Sequence, residues 1–123
     1  MASEADKAQT ADSKEQETIF DKIIRKENSG KSHPGLLLMD VSPQSPVHFL
    51  VIPKRRINSI ETAQDSDEAL LGKLLLGARD CAKLMNLGDG YRVVINNGKH
   101  GCQSVYHLHL HVLGGRQLNW PPG

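Results

Sequence analysis

The clearest pattern of apolar and polar positions lies near the carboxyl end of the chain, between Val105 and Leu113. Three histidines alternate there with aliphatic residues, and side chains along a β-strand alternate between the two faces of a sheet. The pattern therefore predicts a strand with one aliphatic face for a core. Its other face is lined by the imidazoles of His107, His109 and His111.

Helical spacing predicts two helices, a short one at Thr18–Lys26 and a long one at Asp65–Leu87. For the long helix, Asp65 or Ser66 is the expected N-cap, and Gly88 is expected to end it in a left-handed conformation. The apolar residues of the long helix predict a single core-facing stripe, formed by Leu70, Leu71, Leu74, Leu75, Ala78, Cys81, Ala82 and Met85.

Short apolar runs predict further strands at Leu36–Met39, His48–Pro53 and Tyr91–Asn96. The loop Asn97–Gly101 should turn the chain back, so that the last of these runs is antiparallel to the histidine strand. Residues 1–17 contain no Leu, Ile, Val, Phe, Trp or Tyr, and such a segment cannot offset its ordering entropy. We therefore expect a disordered polar tail at 1–17, followed by one folded domain at 18–123.

Composition restricts the function classes. The 123 residues fit one domain, and the net charge of +1 from 15 basic and 14 acidic residues gives no broad nucleic-acid or membrane surface. Two cysteines, Cys81 and Cys102, form no disulfide framework. No apolar run is long enough to cross a bilayer. We expect a protein of the cytosol, also of the nucleus, that binds neither nucleic acid nor membrane.

Three interpretations of the histidine face compete. The first is an amphipathic strand whose polar residues happen to be histidine. The second is a zinc site, and the third is a centre of nucleophilic catalysis. Imidazole is a common zinc ligand, but no Asp, Glu or Cys follows at ligand spacing. Histidine is also a nucleophile near neutral pH. We favour catalysis and predict no metal.

The run from His107 to Leu113 matches the His-φ-His-φ-His-φ-φ signature (φ apolar) of the histidine triad superfamily. The flanks at 101–106 and 114–123 resemble its nucleotide-binding protein branch, and the resemblance extends from about Thr18 to Gly123. It implies an α+β fold with an antiparallel sheet of about five strands, one long and one short helix, and a homodimer with a continuous sheet. The polar segment Asn28–Gly35 departs from the family pattern, so the first hairpin should be shortened.

The resemblance implies a hydrolase of purine nucleoside 5′-phosphoramidates, of the adenosine 5′-monophosphoramidase type, which also accepts acyl-adenylates. His109 would attack the α-phosphorus and form a nucleotidyl-histidine intermediate, with no cofactor. His111 and Ser104 would stabilise charge on the phosphate oxygens, and His107 with His48 would orient His109.

By the same resemblance, other residues bind the purine nucleotide. A hydrophobic wall for the base would come from Ile19, Phe20 and Ile23. Asp40, next to Val41, would accept hydrogen bonds from the ribose hydroxyls, although an Asx-turn explains an aspartate there equally well. The phosphate and leaving group would lie against Asn96, Cys102, Gln103 and Ser104.

Trp120 would reach the partner's site and influence the choice of leaving group. Two other classes of function stay open, a nucleotide-binding interaction module with little turnover and a zinc-binding protein.

Overall fold

Four strands and one long helix make up residues 35–40 and 42–123, the part of the chain that the computed structural model describes. The strands are β1 (Gly35–Met39), β2 (Val47–Pro53), β3 (Tyr91–Val94) and β4 (Leu110–Gly114). A 3₁₀ turn at Asp65–Asp67 leads into the helix α1 (Glu68–Leu84). The expected short helix, the polar tail, and the binding residues Ile19, Phe20, Ile23 and Val41 lie outside the described residues.

The strands form one antiparallel sheet in the order β1-β2-β4-β3. This confirms the α+β class, the strand after the atypical segment, and the antiparallel pairing of β3 with β4. The described sheet has four strands where about five were expected. Strand β3 ends at Val94, two residues earlier than predicted.

The two faces of the sheet have different neighbours. Alternation along β2 and β4 directs Phe49, Val51, Leu110 and Val112 toward α1. Together with helix residues they form the larger core cluster: Leu37, Phe49, Val51, Leu74, Ala78, Cys81, Ala82, Leu87, Leu110 and Val112. The register pairs Leu50 with His111 and His48 with Leu113. Both histidines therefore lie on the face opposite α1, together with the buried Leu38, Leu50 and Ile52.

The start of the long helix differs from the prediction. Asp65 and Ser66 do not cap it, because both lie inside the 3₁₀ turn. The Asp67 carboxylate accepts the backbone N–H of Gln64 at 2.9 Å and forms an ion pair with Arg55. These two interactions lower the pKa of Asp67 below its ordinary value, the Gln64 N–H more than the guanidinium. The Asp67 carboxylate thus bonds back to the backbone three residues earlier and stabilises the 3₁₀ turn at the start of the helix.

The end of the helix differs as well. Asn86, and not Gly88, adopts the left-handed conformation, with φ of 60°. The Leu87 N–H donates to the Ala82 carbonyl at 3.0 Å, which is the pairing of a Schellman motif. The prediction that Leu75 belongs to the core-facing stripe is wrong, since Leu75 is 49% exposed. No helix within residues 35–40 and 42–123 has the length and apolar character that a membrane crossing requires.

The predicted histidine strand is largely replaced by a bend, since β4 begins only at Leu110. Three contacts hold the preceding residues away from the sheet. Arg56 donates twice to the Tyr106 carbonyl, and the buried Gln103 amide donates to the Val105 carbonyl. The Leu108 N–H donates to the Ile57 carbonyl at 2.6 Å. Periodicity alone missed this bend because two of these contacts come from residues distant in sequence, Arg56 and Ile57.

Candidate active site

His109 is held by the backbone of the bend. Its Nδ1 lies 2.8 Å from the carbonyl oxygen of His107. A carbonyl only accepts hydrogen bonds, so Nδ1 carries the proton and the lone pair of the neutral ring is on Nε2. The residue is buried, with 4% of its surface exposed. This is the tautomer that a nucleophilic imidazole needs.

A second hydrogen-bond chain defines His111. The backbone N–H of Gln44 donates to His48 Nδ1 at 3.1 Å, which leaves the proton of the neutral His48 ring on Nε2. His48 Nε2 lies 2.9 Å from His111 Nδ1 and donates to it. His111 therefore carries its own proton on Nε2. The Gln44 amide thus sets the tautomer of His48, and His48 sets the tautomer of His111. The resulting Nε2–H of His111 can donate to a phosphate oxygen.

The role expected of His48 needs correction, whereas His107 does hold His109, through its carbonyl. They were expected to orient His109 together. Instead, His48 contacts His111, with ring centroids 5.2 Å apart. The carbonyl of His107 holds His109, while the His107 ring donates from Nε2 to the Pro53 carbonyl at 2.9 Å.

The pKa of His107 lies below its ordinary value of 6.5. Burial is the main cause, and the positive charge of Arg56 adds to it. His107 is therefore held as a neutral ring at neutral pH.

His109 and His111 nevertheless lie side by side. Their ring centroids are 4.9 Å apart and the ring planes are inclined by 64°. One ring has a lone pair on Nε2 and its neighbour has a proton there. A nucleophile next to a hydrogen-bond donor can attack an electrophilic phosphorus and stabilise the charge on its oxygens.

Asp40 follows β1 on the same face as these histidines. Its Oδ1 accepts the Ser42 N–H at 2.7 Å, which is an Asx-turn. Its Oδ2 lies 3.4 Å from His48 Nε2, and the side chain is fully buried. The structure thus contains the Asx-turn that the sequence allowed for Asp40, and the ribose-binding role of Asp40 stays a prediction.

The loop between β3 and β4 is fixed by Gln103. Its amide oxygen accepts the Gly98 N–H at 2.9 Å, and its amide nitrogen donates to the carbonyls of Asn58 and Val105. These backbone groups engage the side chain that was expected beside the phosphate. Gly101 is tightly packed, since a Cβ there would lie 2.5 Å from the Asn97 carbonyl oxygen. Gln103 therefore shapes the loop.

The other predicted residues of this loop have different surroundings. Ser104 and Cys102 are exposed, and Asn96 is half-buried. Cys102 has φ of 62°, a left-handed conformation that glycine adopts more readily. Their roles at the phosphate stay predictions.

Trp120 is strongly exposed. It follows the carboxyl end of β4 and is 78% exposed. The Arg92 guanidinium carbon lies 5.8 Å from the centroid of the indole, and Arg92 Nη2 donates to the Asn119 carbonyl at 2.8 Å. Trp120 is thus presented outward on the surface.

Among residues 35–40 and 42–123, one group of side chains has metal-ligand character, namely Asp40, His48 and His111, whose candidate ligand atoms lie within 4.8 Å of one another. The hydrogen bonds oppose a metal there. A metal-bound neutral histidine usually donates from its second nitrogen, whereas His48 Nδ1 accepts the Gln44 N–H. Binding a metal through Nε2 would remove the proton that His111 receives. The arrangement fits a hydrogen-bonded pair and does not fit zinc.

Comparison with known proteins identifies the family. The HIT domain matches residues 24–118. The chain belongs to the HIT domain family. An Arabidopsis thaliana member named Adenylylsulfatase HINT1 is 46% identical over all of this chain and 88% of its own length. A maize member named 14 kDa zinc-binding protein is 50% identical over 86% of this chain and 88% of its own length.

Solved structures of HIT proteins have the same fold. A HIT family hydrolase from Legionella pneumophila superposes with a TM-score of 0.70 at 39% identity, covering 81% of this chain and 96% of that one. A histidine triad protein from Clostridium difficile gives 0.69 at 27% identity, covering 80% of this chain and 92% of its own. The histidine triad fold expected from the signature is confirmed.

Three groups at this site carry no sequence signal. The Gln44 amide and the Pro53 and His107 carbonyls are backbone groups, so the identity of the residue does not reveal their role. Arg56 belongs to a run of three basic residues, Lys54 to Arg56, but its bond to the Tyr106 carbonyl spans 50 positions. No spacing rule could have identified these partners.

Proposed function

We propose that the chain is a nucleotide hydrolase that cleaves the bond between the α-phosphorus of a purine nucleoside 5′-monophosphate and an amine or acyl leaving group. The observation that carries the proposal is the hydrogen bond from His109 Nδ1 to the His107 carbonyl, 2.8 Å long. It fixes a neutral, nucleophilic Nε2 within a family whose relatives include proteins named as hydrolases.

The reaction has two displacements. In the first, His109 Nε2 attacks the α-phosphorus and the bond to the leaving nitrogen or oxygen breaks. A departing amine takes up a proton from solvent, directly or through Ser104, whereas a departing carboxylate leaves as the anion. The ring of the nucleotidyl-histidine is positively charged, and the His107 carbonyl at Nδ1 stabilises this charge. In the second, water attacks the phosphorus, the P–Nε2 bond breaks, and the water releases one proton to the solvent. The products are the nucleoside monophosphate and neutral His109.

Charge on the non-bridging oxygens is stabilised by His111 through its Nε2–H. The hydroxyl of Ser104, which is exposed, would serve the same oxygens or pass a proton to the departing amine. Ribose and base bind through Asp40, Val41 and the wall expected from Ile19, Phe20 and Ile23. The name of the Arabidopsis relative adds sulfate as a candidate leaving group.

The direct test uses an adenosine 5′-phosphoramidate. We expect release of AMP and, after rapid acid quench, a mass increase of one adenylyl group on the peptide that contains His109. His109→Ala should give neither product nor adduct. Nucleotide binding without turnover by the wild-type protein would instead identify an interaction module.

Metal dependence provides a separate check. Treatment with a chelator should leave the rate unchanged, because Asp40, His48 and His111 are bonded in a way that disfavours a metal. A loss of activity that zinc restores would contradict this mechanism and favour the zinc-binding alternative.

We also propose a homodimer. Apolar side chains are exposed on α1 and on the terminal strand β3 with its continuation: Leu75, Leu76, Leu84, Tyr91, Val93 and Ile95. In the described sheet β3 pairs with β4 alone, and an apolar edge strand is a template for a second copy. Pairing two β3 strands would cover both the edge and the helix surface.

The oligomeric state tests this. Val93 is 38% exposed in the middle of β3, and Ile60, with 37% exposed, lies outside the sheet and the helix. Val93→Lys should shift the sedimentation coefficient to that of a monomer, while Ile60→Lys should not. A Val93→Lys protein that sediments as the wild type would exclude an interface at β3.

A further inference from the structure

We propose that Arg92 is a positioning residue for Trp120 and thereby for leaving-group selectivity. Arg92 lies on β3, paired with Leu113 of β4, and its guanidinium bonds the Asn119 carbonyl and lies over the Trp120 ring. We call Arg92, Asn119 and Trp120 the tail clamp. The clamp itself rests on the structure, and its effect on selectivity rests on the proposed function.

Little else holds the tail. In the described part of the chain, Arg92 makes the only hydrogen bond to residues 119–123. A depression of about 560 Å³ lies under the preceding residues, with Gln117 and Leu118 in its wall. Trp120 is 78% exposed, and residues 121–123 are exposed as well. Within a single chain, the position of the indole therefore depends on the guanidinium.

Arg92 suits this task better than lysine would. Its planar guanidinium can donate to a carbonyl from one edge and stack on an aromatic ring with its face, whereas an ammonium is a point charge on a flexible stem. Arg92 is half-buried on a paired strand, so its own backbone is fixed. A fixed cation therefore orients an exposed ring.

The protein contains a single tryptophan, so its fluorescence reports on Trp120 alone. In Arg92→Ala we expect lower emission anisotropy and a higher acrylamide quenching constant than in wild type. Arg92→Lys should lie between the two. Arg79→Ala is the matched control, because Arg79 is an exposed arginine of α1 paired with Asp80. Unchanged anisotropy and quenching in Arg92→Ala would overturn the clamp.

The second measurement is selectivity, the ratio of kcat/KM for an adenosine phosphoramidate of a bulky aromatic amine to that of ammonia. In Arg92→Ala we expect the ratio to change by about two- to fivefold, the size of an exposed cation–π contact of roughly 0.5–1 kcal/mol. In a Trp120→Ala background, Arg92→Ala should change the ratio no further, because both substitutions remove one contact.

The outcomes are separable. Altered fluorescence with an unchanged ratio would overturn the selectivity role and leave only an anchor. An additional change of the ratio in the Trp120→Ala background would show that Arg92 acts otherwise than through the indole. If wild type hydrolyses neither substrate, the proposed function fails, and the fluorescence data still decide whether the clamp exists.

Discussion

The two ends of β4 are built on opposite principles. At the amino end, His109 and His111 are buried, and each has a ring nitrogen fixed by a hydrogen bond inside the protein. At the carboxyl end, Trp120 is exposed and is held by one surface arginine.

A polar group loses more free energy when its partner is removed in a buried place than in an exposed one. The buried end is therefore suited to fix which nitrogen of each histidine carries the proton. The exposed end is suited to adjust the selectivity for the leaving group.

The largest effect is expected from the nucleophile. His109→Ala should lower kcat/KM by about 10⁴-fold or more, as nucleophile removal does in other covalent mechanisms. Nucleotide binding should persist, which isothermal titration with AMP can establish. A variant that hydrolyses the phosphoramidate at a near-normal rate would exclude His109 as the nucleophile.

The next effect concerns the ring that fixes His111. His48→Ala removes the donor to a buried nitrogen, which typically costs about 1–3 kcal/mol, so kcat should fall by about five- to 150-fold. His48→Gln keeps an amide donor and should recover part of the rate. A purely structural role would make the two variants equally active once both are shown to be folded.

Acid sensitivity of stability gives a smaller effect. Because the pKa of His107 in the folded protein lies below 6.5, the unfolded chain binds more protons just below that pH. The contribution of neutral His107 is present above about pH 6.5 and is lost as the pH falls. His107→Asn should therefore lose less urea resistance than wild type between about pH 8 and about pH 5.

His100→Asn, at an exposed loop position, is the matched substitution for this comparison. An equal loss of urea resistance in wild type and in His107→Asn would contradict the prediction.

The smallest effect should come from the exposed end, and a hybrid dimer can reveal it. In a dimer of one Trp120→Ala chain with one His109→Ala chain, the working nucleophile belongs to the Trp120→Ala chain. If the tail serves the partner's site, that nucleophile receives an intact Trp120 and keeps wild-type selectivity. Selectivity changed by about two- to fivefold, as for an exposed aromatic contact, would mean that each tail serves its own subunit.

The sequence by itself determined the histidine triad family, the α+β class and the central histidines. These follow from local order, since alternation along β2 and β4 directs Phe49, Val51, Leu110 and Val112 to the helix face and the histidines to the other face. The long helix was likewise predictable from its spacing. Its capping residues were predicted wrongly. Several neighbouring residues could have taken these positions, and Asp67 accepts the Gln64 N–H while Asn86 adopts the left-handed conformation.

The tertiary structure decided which atom of each histidine carries a proton. His48 and His111 are 63 positions apart, and the bend that places His109 depends on Arg56, Gln103 and Ile57. The alternating pattern predicted three imidazoles on one strand, whereas β4 begins only at Leu110 and the His107 ring bonds the Pro53 carbonyl. A ring's tautomer is set by what lies opposite each nitrogen, and chain folding alone brings those groups together.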